Sequence, residues 1–190
     1  MSSRDLENLK TANDLFHHGH YEEAFRLYKE LAEQGNVECQ SFAGWMYFDG
    51  TGVASNDEKA LFWLEKAANQ GDIQAQFYLA KLHLKKGECD SALNWLEQAA
   101  AKEYAPAMFL LGHMYQLGRC VVPDEDKAFH LISRAADAGH LFARREYARF
   151  LMKGRLGLAN VFKGVRIYLT LFFPAIRAAV ADPYTDRLRV

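Results

Sequence analysis

An internal repeat constrains the fold of this 190-residue chain more than any other feature. A small residue inside an apolar, helix-like stretch returns after 36, 32, 36 and 36 residues, at Ala24, Ala60, Ala92, Ala128 and Gly164. Periods of this length are typical of solenoids, in which each repeat supplies two helices. The sequence therefore predicts an all-α fold, an α-solenoid of about five antiparallel helical hairpins.

Each of these small residues is preceded by another one at one of two distances. The intervals from Gly44 to Ala60 and from Gly112 to Ala128 are longer than those from Ala12 to Ala24 and from Ala80 to Ala92. The difference indicates a short loop insertion in the longer repeats. Two antiparallel helices approach closely only where the side chains between them are minimal. The spacing therefore indicates a packing role for the small residues.

The helix limits follow from apolar residues at helical spacing and from glycines after the last periodic residue. The chain is predicted to form five helix pairs: 5–18 with 21–34, 37–48 with 57–70, 73–86 with 89–101, 105–117 with 125–138, and 141–153 with 160–173. Asn56 or Asp57 is expected to cap the fourth helix, and Asp124 the eighth.

The longer repeat has a characteristic set of residues, which in the second hairpin are Gly44, Tyr47, Gly50, Gly52, Val53, Asp57, Lys59, Ala60, Trp63, Lys66, Ala67, Ala68 and Gly71. This set resembles the Sel-one-like repeat, a tetratricopeptide-type repeat with a longer loop between its helices. The resemblance extends over residues 5–168 and implies a right-handed superhelix. We expect residues 1–164 to form the repeat array, and residues 165–190 to form an apolar and basic capping or docking segment continuous with it.

The sequence contains no recognisable catalytic, metal or cofactor site. His17, His18 and His20 lie on a turn, where their side chains point in different directions, and no nearby ligand completes a tetrahedron. The Gly50-Thr51-Gly52 segment lacks the Lys-Ser/Thr and the preceding strand of a phosphate-binding loop. We therefore expect no enzyme activity and no cofactor. The net charge of −1 gives no reason to expect a nucleic-acid partner.

Surface recognition remains as the expected function. In tetratricopeptide folds one face of each first helix lines a concave groove, and the resemblance assigns to it Asn13, Phe16, Ser41, Trp45, Phe48, Phe77, Lys81, Leu84, Phe109, His113, Gln116, Arg145, Arg149 and Lys153. This series runs from aromatic to basic, which suits a peptide with apolar anchors and an acidic end. The sequence thus predicts an adaptor or scaffold that binds a protein or peptide partner.

The C-terminal region differs in charge from the rest of the chain. Residues 141–190 hold ten Lys or Arg against three acids, a balance of +7, so residues 1–140 carry −8. The apolar run between Arg166 and Arg177 is too short to span a membrane, which needs about 20 residues. Three interpretations stay open for this segment: a cap on the last hairpin, a homodimer contact, or contact with an anionic membrane. The candidate residues are Ile167, Tyr168, Leu171, Phe172 and Phe173.

Cysteine usage and the N-terminal residues bear on location. Cys39, Cys89 and Cys120 are odd in number and irregularly spaced, unlike the paired cysteines of secreted relatives, so reduced thiols are expected. The first residues have no apolar stretch of the kind that secretory signals carry. These observations favour a cytoplasmic protein, with the inner face of a membrane as the alternative location.

Overall fold

The computed structural model describes residues 3–154 and 157–172, and within those ranges every regular element is an α-helix. The helices are α1 Ser3–His17, α2 Tyr21–Glu33, α3 Val37–Asp49, α4 Asp57–Asn69, α5 Ile73–Lys86, α6 Cys89–Ala101, α7 Ala105–Leu117, α8 Glu125–Asp137, α9 Leu141–Met152 and α10 Leu158–Phe172. All ten predicted helices are present, each within two residues of its predicted limits. The all-α hairpin array is therefore confirmed.

Local chemistry explains where these helices begin and end. The side chains of Asn36, Asn56, Asp72 and Asp124 each accept a hydrogen bond from the backbone N–H three residues later, at 2.7–2.9 Å. Such caps satisfy backbone donors that have no partner within the helix. Asn56 and Asp124 are the caps that the sequence predicts for α4 and α8. Each longer repeat thus has a defined start for its second helix.

Small residues allow the two helices of a hairpin to come close. A Cβ atom added at Gly44 on α3 would lie 2.7 Å from Cγ of Leu64 on α4, and one added at Gly112 on α7 would lie 2.8 Å from Cγ1 of Ile132 on α8. Real side chains do not tolerate such distances without displacement of their neighbours. The packing role predicted for the repeated glycines is therefore confirmed at both positions.

The chain divides into two compact units, residues 1–102 and 103–190. The first unit contains the hairpins α1–α2, α3–α4 and α5–α6, and in it α2 contacts α3 and α4 contacts α5. The second contains the hairpins α7–α8 and α9–α10, and in it α8 contacts α9. Each unit has a core of alanine, leucine and other apolar side chains. The predicted boundary at residue 164 stays a prediction.

The cysteines correct one expectation from the sequence. Cys39 is a free thiol, and its burial, with a contribution from the nearby Glu38, raises its pKa to about 12. Cys89 and Cys120, in contrast, are disulfide-bonded. The expectation of reduced thiols is therefore wrong for these two residues. It rested on their odd number and irregular spacing, neither of which determines the oxidation state of a thiol.

No helix in the described part of the chain has the length and apolar character needed to cross a membrane. The cytoplasmic location stays a prediction.

Candidate protein-binding surface

Six aromatic side chains from α1, α3 and α5 form one continuous cluster in the first unit. We call it the aromatic surface, and its members are Phe16, Phe42, Trp45, Phe48, Phe77 and Tyr78. Trp45 is central, with ring centroids 5.8 Å from Phe16 and 6.5 Å from Tyr78. All six side chains are only half-buried. The cluster therefore keeps apolar area accessible to a partner.

A hollow opens beside Trp45. It has a volume of about 190 Å³ and is lined by Phe16, Ser41, Phe42, Trp45, Gln74 and Tyr78. An apolar cavity of about 150 Å³ holds a benzene molecule, so the volume of this hollow matches a single ring or a branched aliphatic side chain. The hollow is thus large enough for one anchoring side chain.

Lys81 lies beside the same rings. Its Nζ atom is 5.1 Å from the ring centroid of Phe48, 5.4 Å from that of Tyr78 and 5.7 Å from that of Phe77. These distances are in the range of cation–π contacts, in which the aromatic rings attract the ammonium group without a carboxylate partner. Among the described residues Lys81 has no ion-pair partner, whereas Lys85, one turn later, is 2.7 Å from Asp57. Lys81 therefore carries a positive charge that forms no ion pair with an acid of the described chain, and we call the charge uncompensated in this sense.

Other predicted groove residues of the first unit have internal partners. Asn13 Oδ1 accepts a hydrogen bond of 2.7 Å from the Tyr28 hydroxyl, whose pKa is raised to about 12, mainly by burial. Ser41 donates a 2.8 Å bond to Asp72, the cap of α5. Leu84 is half-buried near the end of α5. Asn13 and Ser41 thus hold neighbouring helices together, and Ser41 also lines the hollow.

The predicted groove residues of α7 form a different environment in the second unit. The Phe109 ring lies 5.9 Å from the His113 ring and 4.8 Å from that of His140. His140 caps α9 by accepting a bond from the Ala143 N–H, and burial lowers its pKa, so the neutral ring is favoured. Gln116 donates a 3.1 Å hydrogen bond to Glu146. Phe109 thus packs against histidines, and Gln116 is held by a carboxylate.

The three predicted cations on α9 and directly after it already have partners within the unit. Arg149 is 3.2 Å from Glu146, and Lys153 is 3.2 Å from Glu125. The guanidinium of Arg145 lies 5.8 Å from the centroid of the Phe142 ring. Two of the three cations are therefore neutralised within the unit, which leaves less charge for an acidic partner than the sequence suggests.

The sequence analysis missed Phe42 and Tyr78, which lie next to the predicted Ser41 and Phe77. The two missed residues stand one longer repeat apart in the chain. An aromatic residue repeated at one position of successive first helices is the signal that could have identified them. Single positions one turn apart define only the centre of a helix face, and an apolar face is wide enough to include the neighbouring positions as well.

No metal centre is evident in the described ranges, since no three His, Cys, Asp or Glu side chains lie close enough together to hold an ion. His18 Nδ1 instead lies 2.7 Å from the Asp14 carbonyl oxygen, and His20 lies 3.7 Å from Glu23.

The residues predicted for dimer or membrane contact lie at the end of α10. Tyr168 is exposed, whereas Ile167 and Leu171 are half-buried. Phe173 and the side chain of Phe172 lie outside the described residues.

Comparison with known proteins identifies the repeat independently. The Sel1 repeat profile matches residues 20–36, 37–72, 73–104 and 105–140. Chitin synthase regulatory factor 3 of Schizosaccharomyces pombe is 32% identical over 133 residues, which make up 65% of this chain but only 14% of that protein. The chain thus matches only a small part of this longer relative.

Two solved structures share the fold. A Sel1 repeat protein from Oxalobacter formigenes aligns with a TM-score of 0.73 and 26% identity, covering 86% of this chain and 69% of that one. The protective antigen c5321 of uropathogenic Escherichia coli, which displays an SLR fold, aligns with a TM-score of 0.67 and 29% identity, covering 86% and 38% respectively.

Proposed function

This chain belongs to the Sel1 repeat family, whose members are typically scaffolds for protein–protein interactions, and we propose that it is a non-enzymatic adaptor. Its partner would be a peptide or protein segment held on the aromatic surface of the first unit. The observation that carries this proposal is the open hollow beside Trp45 next to the uncompensated charge of Lys81.

The chemistry of the surface defines the partner segment. An aromatic or branched aliphatic side chain would enter the hollow between Trp45, Phe16 and Tyr78, where it loses contact with water. A carboxylate of the same segment would lie against Lys81, whose ammonium group is within 5.4 Å of the Tyr78 ring that lines the hollow. The recognised sequence would therefore combine one apolar anchor with a nearby Asp or Glu.

The first unit supports this role because its surface is held in place before binding. Ser41 is bonded to the α5 cap Asp72, and Asn13 is bonded to Tyr28 of the neighbouring helix. A surface that is already ordered loses little conformational entropy when a partner binds. The hollow therefore offers affinity without rearrangement of the helices.

The groove residues of the second unit are proposed as a weaker contact. Phe109, His113 and Arg145 are half-buried or exposed, but Gln116, Arg149 and Lys153 are engaged with carboxylates. We place the principal contact on the first unit for this reason.

Selection from a random peptide library displayed on phage tests the proposal. The expected peptides carry a Phe, Trp, Leu or Ile close to an Asp or Glu, and their binding is lost in the variant Trp45→Ala. In the variant Lys81→Glu the acidic residue should no longer be selected, while Lys86→Glu, an exposed charge reversal on the same helix, should behave as the unaltered protein. Selected peptides that bind Trp45→Ala with unchanged affinity would refute the assignment.

A further inference from the structure

The last helix of the described chain is apolar on the side that faces away from its hairpin partner. Leu158, Phe162 and Val165 of α10 are 77%, 72% and 39% exposed. Their spacing of four and three residues places them on one face of the helix. The opposite face contains Gly164, where an added Cβ would lie 2.7 Å from the Ala148 carbonyl oxygen of α9. The helix therefore packs against α9 on its glycine side and leaves three apolar side chains exposed on the other side.

The position of Phe162 is unusual within the repeat. It lies two residues before the small residue at which the repeats were aligned, and the other four repeats have an acid there: Glu22, Glu58, Asp90 and Asp126. The last repeat therefore has a large exposed aromatic residue at the position where the other four repeats have an acid.

The charges next to this face are all positive on the helix itself. Lys163 and Arg166 are exposed, and α10 contains no Asp or Glu. A second hollow, of about 310 Å³, adjoins Lys163 and is lined by Ala136, Asp137, Gly139, Arg144, Tyr147, Lys163 and Ile167. It holds two cations against the single carboxylate of Asp137, and the Lys163 Nζ atom lies 3.4 Å from the Tyr147 hydroxyl oxygen. An anionic group would be attracted to this part of the surface.

We propose that the outer face of α10 binds an anionic phospholipid surface. Leu158, Phe162 and Val165 enter the boundary between headgroups and acyl chains, while Lys163 and Arg166 contact lipid phosphates. Helix α10 lies in the plane of the interface and does not cross it, in keeping with its length of 15 residues. This contact goes beyond the adaptor function, because it would place the adaptor on a membrane.

Charge distinguishes this occupant from a second copy of the chain. Arg166 lies beside Phe162 at the edge of this face, so two α10 helices packed through it would bring the Arg166 side chains of the two copies towards each other, and like charges at close range repel. An anionic lipid surface compensates the same charges. The exposed side chains also form a ridge on one helix, which a fluid lipid layer accommodates without a complementary groove.

Sedimentation of the full chain with lipid vesicles tests this proposal. We expect the protein to bind vesicles of phosphatidylcholine and phosphatidylserine, to bind pure phosphatidylcholine much more weakly, and to be released as salt is raised. The variant Phe162→Asp should bind about tenfold more weakly or worse, since an apolar insertion is replaced by a charge. The double variant Lys163→Glu with Arg166→Glu should lose about tenfold or more through electrostatics.

A matched control separates the contact from general surface hydrophobicity. Phe62 on α4 is 50% exposed, so Phe62→Asp removes a comparable aromatic side chain from the first unit. This variant should bind vesicles as the unaltered protein does. The proposal is overturned if the unaltered chain stays in the supernatant with anionic vesicles, or if Phe162→Asp binds no more weakly than Phe62→Asp. It is also overturned if light scattering shows a dimer that Phe162→Asp converts to a monomer, because the face would then belong to a second copy.

Discussion

The two units are built from the same kind of helical hairpin, with a buried Leu or Ile opposite a glycine in each, but they differ in their surface residues. Lys85 pairs with Asp57 in the first unit. Lys153 pairs with Glu125 in the second unit, and these two residues stand two repeats after Lys85 and Asp57 respectively. Lys81 and Arg149 are related by the same shift. Lys81 lies among aromatic rings, whereas Arg149 is paired with Glu146.

One repeat position explains the difference. Glu146 occupies the position in the second unit that Tyr78 occupies in the first, again two repeats later. A carboxylate there neutralises the cation one turn later, while a tyrosine ring contacts the cation and leaves its charge uncompensated. The comparison shows that corresponding packing residues are used in both units. Under the proposed function, a single surface residue would decide which unit attracts an acidic segment.

Equivalent core substitutions in the two units should destabilise the protein equally. Leu64 and Ile132 are fully buried at corresponding positions, and each lies opposite the glycine of its own hairpin. Leu64→Ala and Ile132→Ala should each lower the free energy of unfolding by about 3 kcal/mol, from lost burial and the cavity left behind. Urea denaturation followed by circular dichroism measures both. A loss confined to one of the variants would break the equivalence of the two units.

The partner-binding surfaces should respond unequally. Trp45 and His113 occupy corresponding positions, but only Trp45 borders the open hollow of the first unit. Trp45→Ala should weaken binding of a selected acidic peptide by about 2 kcal/mol, the size expected for a central aromatic anchor. His113→Ala should leave the affinity within twofold, measured by isothermal titration calorimetry. Equal losses in the two variants would contradict the assignment of the principal contact to the first unit.

A smaller effect is expected at the turn where the second unit begins. Glu103 has a φ of 59°, and the corresponding residue one repeat later is Gly139, with a φ of 88°. Glu103→Gly should stabilise the protein by about 1 kcal/mol, because glycine has no Cβ to strain this backbone conformation. Its exposed ion pair with Arg134 contributes little. Thermal unfolding should also show a loss of similar size for Gly139→Ala; a gain there would argue against the strain.

The helices were predictable because their signals are local. The spacing of small and apolar residues and the caps at Asn56 and Asp124 define α4 and α8 without knowledge of any distant contact. Trp45 could be assigned to an exposed face for the same reason. The ion pair between Glu146 and Arg149 is also predictable from the sequence, since residues three apart on a helix are neighbours on its surface.

Contacts between distant residues were not predictable in this way. The pairing of Lys153 with Glu125 joins residues 28 apart in sequence and depends on how α9 packs against α8. Lys81 is likewise surrounded by three rings from two helices, an environment that depends on how α3 and α5 pack together. The distribution of free charge over the surface therefore required the structure.

The most direct test of the account transfers the second unit's acid to the first. Tyr78→Glu places a carboxylate three residues before Lys81, as Glu146 stands before Arg149. The measurement is the affinity of a selected acidic peptide and of its Asn/Gln counterpart, by calorimetry at low salt. We expect the unaltered protein to prefer the acidic peptide by about tenfold and Tyr78→Glu to lose this preference. An undiminished preference in Tyr78→Glu would show that the uncompensated charge of Lys81 does not select the partner.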